Sequence, residues 1–266
     1  MMNSNRLQLN TAKTEFLWSS TSLRLHQLPQ LLLRVGPDHI VPASVVRDLG
    51  IYIDTDVSMR SHVAKTVSTW HAVLRQLQTI RRSLSRSVLQ SLVSSLILSR
   101  LDYGNATLVS ISSHLLSWLQ SVMNTAARHI FSSSNFQHIT SLLCQLHWQK
   151  APEQTAFKYA VLVYKCLHVT APAYLTDEFC PVADIEACQQ LRSSSSSSSS
   201  LIVSRTRLST VVDRAFPVAA ARVWNSRPDL VTSAPSVAVF RSRLKTHLFY
   251  FLPFPLVTVQ CPCSDT

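Results

Sequence analysis

Apolar and polar positions alternate at the start of the chain in a pattern that predicts short β-strands. Leu7 and Leu9 alternate with polar neighbours, Asn10 and Thr11 favour a turn, and residues 14–18 have the pattern of a second strand. A hairpin of two short strands is marginally stable alone, so we expect it to pack against a larger sheet. Only six residues precede this hairpin, and we therefore expect the chain to be the later part of a longer protein.

Further strands are predicted before residue 58, at residues 31–33, 40–46 and 49–54. The glycine, proline and aspartate at residues 36–38 predict a turn after the first of them. Gly50 lies inside the last, where glycine indicates a bulge or a close approach of another backbone.

From residue 58 onward, the apolar period changes to steps of three and four residues, which is typical of amphipathic helices. The first helix should begin near Ser58 and carry an apolar face made of Met59, Val63, Val67, Trp70, Leu74 and Leu77. Ser85 is the expected N-cap of a second helix, which ends at residues 101–105. The apolar residues that this helix carries are Val88, Leu92, Val93, Leu96 and Ile97. Later helices are predicted at about residues 113–131, 139–147, 152–168, 216–225 and 236–251.

These elements predict a mainly α protein with a small N-terminal β portion. We expect residues 1–57 to form the strands, residues 58–190 a helical region on which the strands dock, and residues 201–252 a C-terminal helical lobe. Eight consecutive serines follow Arg192; they cannot build a core, so residues 191–200 are predicted to be a flexible linker. Residues 253–266 form a tail.

Composition narrows the possible functions. The chain has three glycines in 266 residues, which excludes the common glycine-rich phosphate loops. Its net charge is +11 although only 15% of its residues are charged. The excess lies in two segments. In the first basic block, residues 58–135, eight basic residues face one acidic residue, a net +7; in the second basic block, residues 201–250, eight face two, a net +6. Such blocks suit a polyanion such as nucleic acid, and a solvated basic surface is the alternative.

The six cysteines are widely spaced and the N-terminus has no apolar signal core. These features predict reduced thiols in an intracellular protein, nuclear or cytoplasmic. The apolar run at residues 248–259 is short and contains two prolines, so we expect no membrane span. Cys261 and Cys263 are too close together for the usual zinc pair, and Cys144 and His147 lack a second half-site, so we expect no metal site.

Four groups of residues, in order along residues 6–252, match one protein family. They are Leu9-Asn10-x-x-Lys13-Thr14-Glu15, then Leu49-Gly50-Ile51-x-Ile53-Asp54 followed by Ser61-His62-Val63, then Ser99-Arg100-Leu101-Asp102-Tyr103-Gly104-Asn105, and last Phe216-Pro217-x-Ala219-Ala220-x-x-x-Trp224-Asn225 with Phe240-x-x-x-Leu244-Lys245. In these residues the chain resembles the C-terminal part of the reverse transcriptase of non-LTR (LINE-type) retrotransposons.

The resemblance implies the end of a polymerase palm, a hairpin similar to a primer grip, a helical thumb and a C-terminal helical extension. The intact family enzyme is an RNA-directed DNA polymerase that holds Mg²⁺ through paired aspartates, and this sequence contains no Asp-Asp pair. We therefore expect a truncated protein without polymerase activity and without a cofactor of its own. Lys13 matches the family position on the phosphate side of the nucleotide, and it is assigned here as an exposed turn lysine with no catalytic role.

In a polymerase thumb, basic helix surfaces follow the phosphates of a template–primer duplex without specifying sequence. The resemblance thus implies non-specific binding of RNA or an RNA–DNA duplex. The candidate residues are Arg60, Lys65, Arg75, Arg81, Arg82, Arg86, Arg241, Arg243 and Lys245. Trp70, Trp118 and Trp224 could stack on bases, but their helical spacing favours a place in the core.

Two other hypotheses remain open. The chain could be a helical module that binds a protein partner or associates with itself through apolar surface that a missing palm leaves uncovered. It could also be a partial product of an active RNA-directed DNA polymerase whose paired aspartates lie upstream.

Overall fold

A computed structural model of the chain describes residues 10–29, 31–36, 38–133, 137–179, 200–203 and 213–250. The predicted strand at Leu7 and Leu9, the serine linker apart from Ser200, and the tail lie outside the described residues. The described chain is mainly α with a small N-terminal β portion, as the sequence predicts. It divides into two compact units. Unit 1 consists of Met1–Gln137 and Ser204–Ala219, and unit 2 of His138–Val203 and Ala220–Thr266.

In the described residues, the β portion of unit 1 consists of two separate antiparallel hairpins. Strands β1 (Leu33–Val35) and β2 (Asp38–Ile40) form the first, and β3 (Val45–Asp48) and β4 (Ile51–Asp54) form the second. The strand predicted at residues 14–18 is wrong: this segment has no regular secondary structure, and it follows a single 3₁₀ turn at Thr11–Lys13. It contacts the residues just before β3 instead, since the Ala43 N–H donates to the Phe16 carbonyl at 2.7 Å.

Gly50 is part of a turn and not of a bulge, so that prediction is also wrong. Asp48 pairs with Ile51 across the two-residue connection between β3 and β4. Leu49 and Gly50 both have positive φ, 45° and 84°, the signature of a type I′ turn. The Tyr103 hydroxyl donates to the Leu49 carbonyl at 2.7 Å, a contact that we call the Tyr103 latch.

The longest helix of unit 1, α1 (Arg60–Ile80), starts against β4. The Asp54 carboxylate accepts hydrogen bonds from the Ser58 hydroxyl at 3.4 Å and the Ser61 N–H at 3.2 Å, which satisfies a free amide of the first turn. The predicted apolar face is confirmed, with Val67 only partly buried. It packs against α4 (Ser113–Phe131), which begins and ends as predicted. The α4 side chains buried in this core are Leu115, Leu119, Val122, Met123, Ala126, Ala127 and Ile130.

The second predicted helix contains one wider turn. It begins as α2 (Arg86–Val93), with the Ser85 hydroxyl accepting from the Val88 N–H at 3.4 Å, passes through a π-helical turn at Ser94–Leu98, and continues as α3 (Ser99–Asp102). Its buried residues follow strict steps of four and are Leu89, Val93, Ile97 and Leu101. Val88 and Leu96, which we expected on the apolar face, are 46% and 38% exposed.

The wider turn explains that difference. In an α-helix, a step of four residues advances about 40° beyond a full turn, so four such positions drift off one face. A π turn holds more residues, and it offsets the drift between Val93 and Ile97.

Unit 2 contains the remaining α-helices of the described residues. They are α5 (Ile139–Gln145), α6 (Ala151–Leu167), α7 (Ala173–Thr176), α8 (Phe216–Asn225, which the division between the units crosses), α9 (Asp229–Thr232) and α10 (Val237–Tyr250).

An aromatic core holds unit 2 together. The Phe240 ring of α10 stacks on Tyr164 of α6 at 4.4 Å and on Trp224 at 5.8 Å between centroids. The buried Tyr164 hydroxyl donates to the Ala234 carbonyl at 2.8 Å. The helices α5 and α6 belong to unit 2 with the C-terminal helices, whereas the sequence-based division put them in the 58–190 region.

Several apolar side chains in the N-terminal part of unit 1 are exposed. Leu23 and Leu31 are 83% and 76% accessible, and Leu32 and Val41 are also exposed. In the described part of the chain, every helix is too short or too polar to traverse a lipid bilayer.

Candidate nucleic-acid interface

The predicted basic residues of the first basic block form two groups on α1 and the turn that follows it. Arg60 and Lys65 lie in the first two turns of α1, whereas Arg75, Arg81, Arg82 and Arg86 lie near its end or beyond it. Lys65 and Arg81 are 16 residues apart, about 24 Å along a helix axis. The six residues therefore do not form one patch.

The two charged side chains of the first group, Arg60 and Lys65, already interact with neighbouring residues. The Lys65 ammonium lies 3.8 Å from the centroid of the Tyr52 ring, and Arg47 lies 5.6 Å from the same ring, both within cation–π range. Arg60 lies beside Asp56. Partial burial acts to raise the pKa of Asp56, but hydrogen bonds from Ser58 and the charge of Arg60 outweigh it, so this pKa lies below its ordinary value.

The second group surrounds a cavity where three elements end. α1 ends at Ile80 and runs into the 3₁₀ turn Arg81–Ser83, α2 begins after Ser85, and α4 ends at Phe131 with Ser132 in the left-handed conformation. A cavity of about 340 Å³ opens there, lined by Arg81, Arg82 and Arg86 together with Ile130 and Ser132. Tertiary packing of α1 on α4 creates this site, because neither helix end alone encloses it.

A second cavity of about 250 Å³ adjoins the first and shares Arg81 and Ser132 with it. Arg128 and His129 of α4 line it. We call the two cavities and their four arginines, Arg81, Arg82, Arg86 and Arg128, the arginine cleft. Arg75 is exposed on the same side of α1 as Gln78, which also lines the second cavity. Arg128 was counted in the charge of the first basic block, but its place in a site was not predicted.

The charges of the arginine cleft are not neutralised by acids nearby in sequence. Between residues 57 and 152 the only acidic residue is Asp102, which accepts from the Asn105 amide at 3.2 Å. The carboxyl ends of α1 and α4 supply about half a negative charge each, far less than four guanidinium groups.

The guanidinium groups retain capacity to bind a ligand. Arg86 stacks over the Phe131 ring, with its guanidinium carbon 3.9 Å from the centroid, a contact that uses the face of the group and not its N–H donors. The Nε atom of Arg128 is buried and has no hydrogen-bond partner among the described residues. Together these features form a preorganised set of donors suited to an anion.

The pKa of His129, in the wall of the second cavity, is lowered by its surroundings. Burial lowers its pKa, and electrostatic interactions with Arg81 and His71 lower it further. The ring is therefore neutral near pH 7 and can accept or donate a hydrogen bond at the cavity wall.

An exposed face of α4 leads to the cleft. His114, Trp118, Ser121, Thr125 and Arg128 follow one another at steps of three and four, which places them on one side of the helix. Trp118 is 36% exposed, so its predicted place in the core is wrong, whereas Trp70 and Trp224 are buried as predicted. The His114 ring lies 4.5 Å from the Trp118 ring. These five residues form a second, partly exposed stripe on α4, and their spacing in the sequence was not recognised as part of a binding site.

Two of the three candidates in the second basic block contact groups of unit 2. The Arg243 guanidinium donates to the Leu230 carbonyl at 2.8 Å, and Lys245 lies 6.0 Å from the Phe157 ring centroid. Arg241 is exposed, but it projects from a different side of α10 than Arg243, two residues on. The three residues therefore do not form one surface.

Lys13 and the acidic residues just before α1 do not line the arginine cleft. Lys13 is exposed in its 3₁₀ turn, where its N–H donates to the Asn10 carbonyl at 3.1 Å. Asp54 and Asp56 bond to groups at the start of α1, so their oxygens do not offer an open ligand set of the kind Mg²⁺ requires. Among the described residues, no three histidine, cysteine or acidic side chains lie close enough together to hold a metal ion.

The sequence was also compared with known proteins. No protein-family model matches it, and neither the curated proteins nor the solved structures include a significant match.

Proposed function

We propose that the arginine cleft binds the phosphates of nucleic acid, RNA or an RNA–DNA duplex, without sequence preference. The observation that carries the proposal is the convergence of four arginines around two adjoining cavities in a segment with a single acidic residue. Guanidinium groups bind phosphate through paired N–H donors and keep their charge at every physiological pH. Contacts of this kind position a nucleic acid and do not specify its bases.

The resemblance to non-LTR reverse transcriptases supports the same proposal. It assigns α1, α2 and α4 to a thumb, the part of a polymerase that holds the template–primer duplex. We propose that the chain derives from such an enzyme and acts by binding alone, since its sequence has no Asp-Asp pair. A longer product with paired aspartates upstream would instead be an active RNA-directed DNA polymerase, and sequencing of the transcript distinguishes the two.

The binding test uses the full chain and fluorescently labelled 16-nucleotide RNA and RNA–DNA duplex, measured by anisotropy at 50 and 200 mM salt. In the variant R81Q/R82Q/R86Q, we expect affinity at 50 mM salt to fall more than tenfold. The slope of log K against log salt should shrink by about 2, because each lost phosphate contact removes about 0.7–0.9. The matched control is R24Q/R34Q/R100Q, which removes the same charge from exposed positions of unit 1.

Equal losses in the two triple variants would mean that net charge and not the arginine cleft determines binding, and would overturn the proposal. Circular dichroism of both variants checks that the helices persist. Since the cleft arginines contact no buried carboxylate of the first basic block, we expect both to fold.

A second candidate function is self-association. The observation that favours it is the exposure of Leu31, Leu32 and Val41, which flank the strands of the first hairpin in sequence, since exposed apolar surface commonly marks an interface. Sedimentation velocity of the full chain and of L31S/L32S tests it. A dimer that the double substitution dissociates supports self-association, and a monomer at every concentration contradicts it.

A further inference from the structure

The exposed face of α4 carries an aromatic pair, His114 and Trp118, that remains partly accessible. The apolar face of α4 already supplies seven buried side chains to the core of unit 1. Trp118 borders this face, three residues after the buried Leu115 and four before the buried Val122, and about one third of it stays exposed, with the His114 ring tilted 59° against it at 4.5 Å. A large aromatic ring on a solvent-facing stripe next to a second ring offers a flat surface for another planar group.

This pair lies in line with the arginine cleft on the same rigid helix. Trp118 and Arg128 are ten residues apart, about 15 Å along the axis. Ser121 and Thr125 lie between them on the same face and are polar, with hydroxyls that donate to the Trp118 and Ser121 carbonyls. In a stacked strand, successive phosphates rise about 3.4 Å, so this distance matches about four nucleotides.

We infer that this face of α4 binds a single-stranded segment of nucleic acid, with an unpaired base stacked on Trp118 and His114 and the phosphates a few nucleotides away in the arginine cleft. The phosphate half of the inference rests on the proposed function; the stacking half stands on the aromatic pair. Aromatic platforms combined with a basic groove are how proteins bind single strands without sequence preference.

A duplex does not satisfy the aromatic half of the site. Its bases stack on one another inside the helix, and a protein ring reaches their faces only after the pairs open, which costs a few kcal/mol. Trp118 therefore selects strands whose bases are already unpaired, whereas the arginine cleft accepts both forms.

The experiment compares three labelled ligands of 12 nucleotides: oligo(A) RNA, an abasic strand with the same number of phosphates, and an RNA–DNA duplex. With W118A we expect about 5- to 20-fold weaker binding of oligo(A) RNA, the effect of losing one stacked base. Binding of the abasic strand and of the duplex should change less than twofold. W118F keeps a ring and should retain most of the affinity, and H114A should show a smaller loss on the same RNA alone.

Each outcome separates the two proposals. Equal weakening of all three ligands by W118A would show a structural effect and overturn the inference, as would no weakening of any. If in that case R81Q/R82Q/R86Q still weakens all three ligands, the arginine cleft stands without the stacking site. If only the tryptophan variants act, and only on the RNA strand, the stacking site stands and the cleft does not.

Discussion

The two basic blocks carry almost the same net charge in sequence, +7 and +6, but their arginines have different surroundings. In the second block, Arg227 donates to the Val223 carbonyl at 3.2 Å, Arg243 to the Leu230 carbonyl at 2.8 Å, and Arg214 to the carbonyls of Val57 and Thr107. Burial also lowers the pKa of Arg227. In the first block, Arg81, Arg82 and Arg86 line a cavity instead.

A count of charges in the sequence therefore does not locate a binding surface. An arginine whose donors satisfy backbone carbonyls near helix ends stabilises its own fold. An arginine on a cavity wall, without an acidic neighbour, is available to a ligand. The decisive observation is where each guanidinium places its N–H groups.

The largest expected effect is a loss of folding stability when Arg243, in the second basic block, is replaced. Arg243→Met removes the donor to Leu230 and keeps the apolar stem, so we expect the free energy of unfolding to fall by about 1–2 kcal/mol. Arg241→Met, on the exposed side of the same helix, is the control and should stay within about 0.5 kcal/mol of the parent. Urea denaturation measures both. If Arg243→Met weakens nucleic-acid binding as strongly as R81Q/R82Q/R86Q does, the two basic blocks do not differ in function as inferred.

A smaller effect is expected from the start of α2, which positions Arg86. Ser85→Ala removes the hydroxyl that accepts from the Val88 N–H, and loss of such a cap costs about 1 kcal/mol. Ser91→Ala, an exposed position within α2, is the control. We expect anisotropy to show a few-fold weaker binding of RNA by Ser85→Ala only. Unchanged affinity together with lowered stability would mean that the arginine cleft does not depend on the order of this turn.

The smallest effect is the pH dependence contributed by His129. Burial, Arg81 and His71 lower its pKa in the folded protein, whereas the unfolded chain takes up the proton near pH 6.5. Since the unfolded state then binds more protons, stability is full above pH 6.5 and decreases as the pH falls toward the lower pKa of the folded state. Denaturation at pH 7.5 and 5.5 should show a smaller decrease for His129→Gln than for the parent. An identical decrease in both proteins contradicts the placement of His129 in this field.

The helices were predictable from sequence because their signals are local and repeated. The face of α1 from Met59 to Leu77 and the bounds of α4 follow directly from the apolar period. The π turn at Ser94–Leu98 was not predictable, because no local sequence pattern marks the wider turn.

The candidate site was only partly predictable, since it joins residues from separate helices. The sequence indicated Arg81, Arg82 and Arg86, which are close neighbours along the chain. Arg128 comes to them only when α4 packs on α1. Leu49 shows the same limit for turns, since a leucine with a φ of 45° is an unusual choice for a type I′ connection.

The Tyr103 latch bears on the order in which unit 1 assembles. It joins residues 54 positions apart, and closing a loop of that length costs about 3.5 kcal/mol plus a constant in chain entropy. One hydrogen bond returns only about 1 kcal/mol. The latch therefore cannot nucleate folding, and we expect it to form only after α1, α2 and α3 have packed and brought Tyr103 close to the β3–β4 turn.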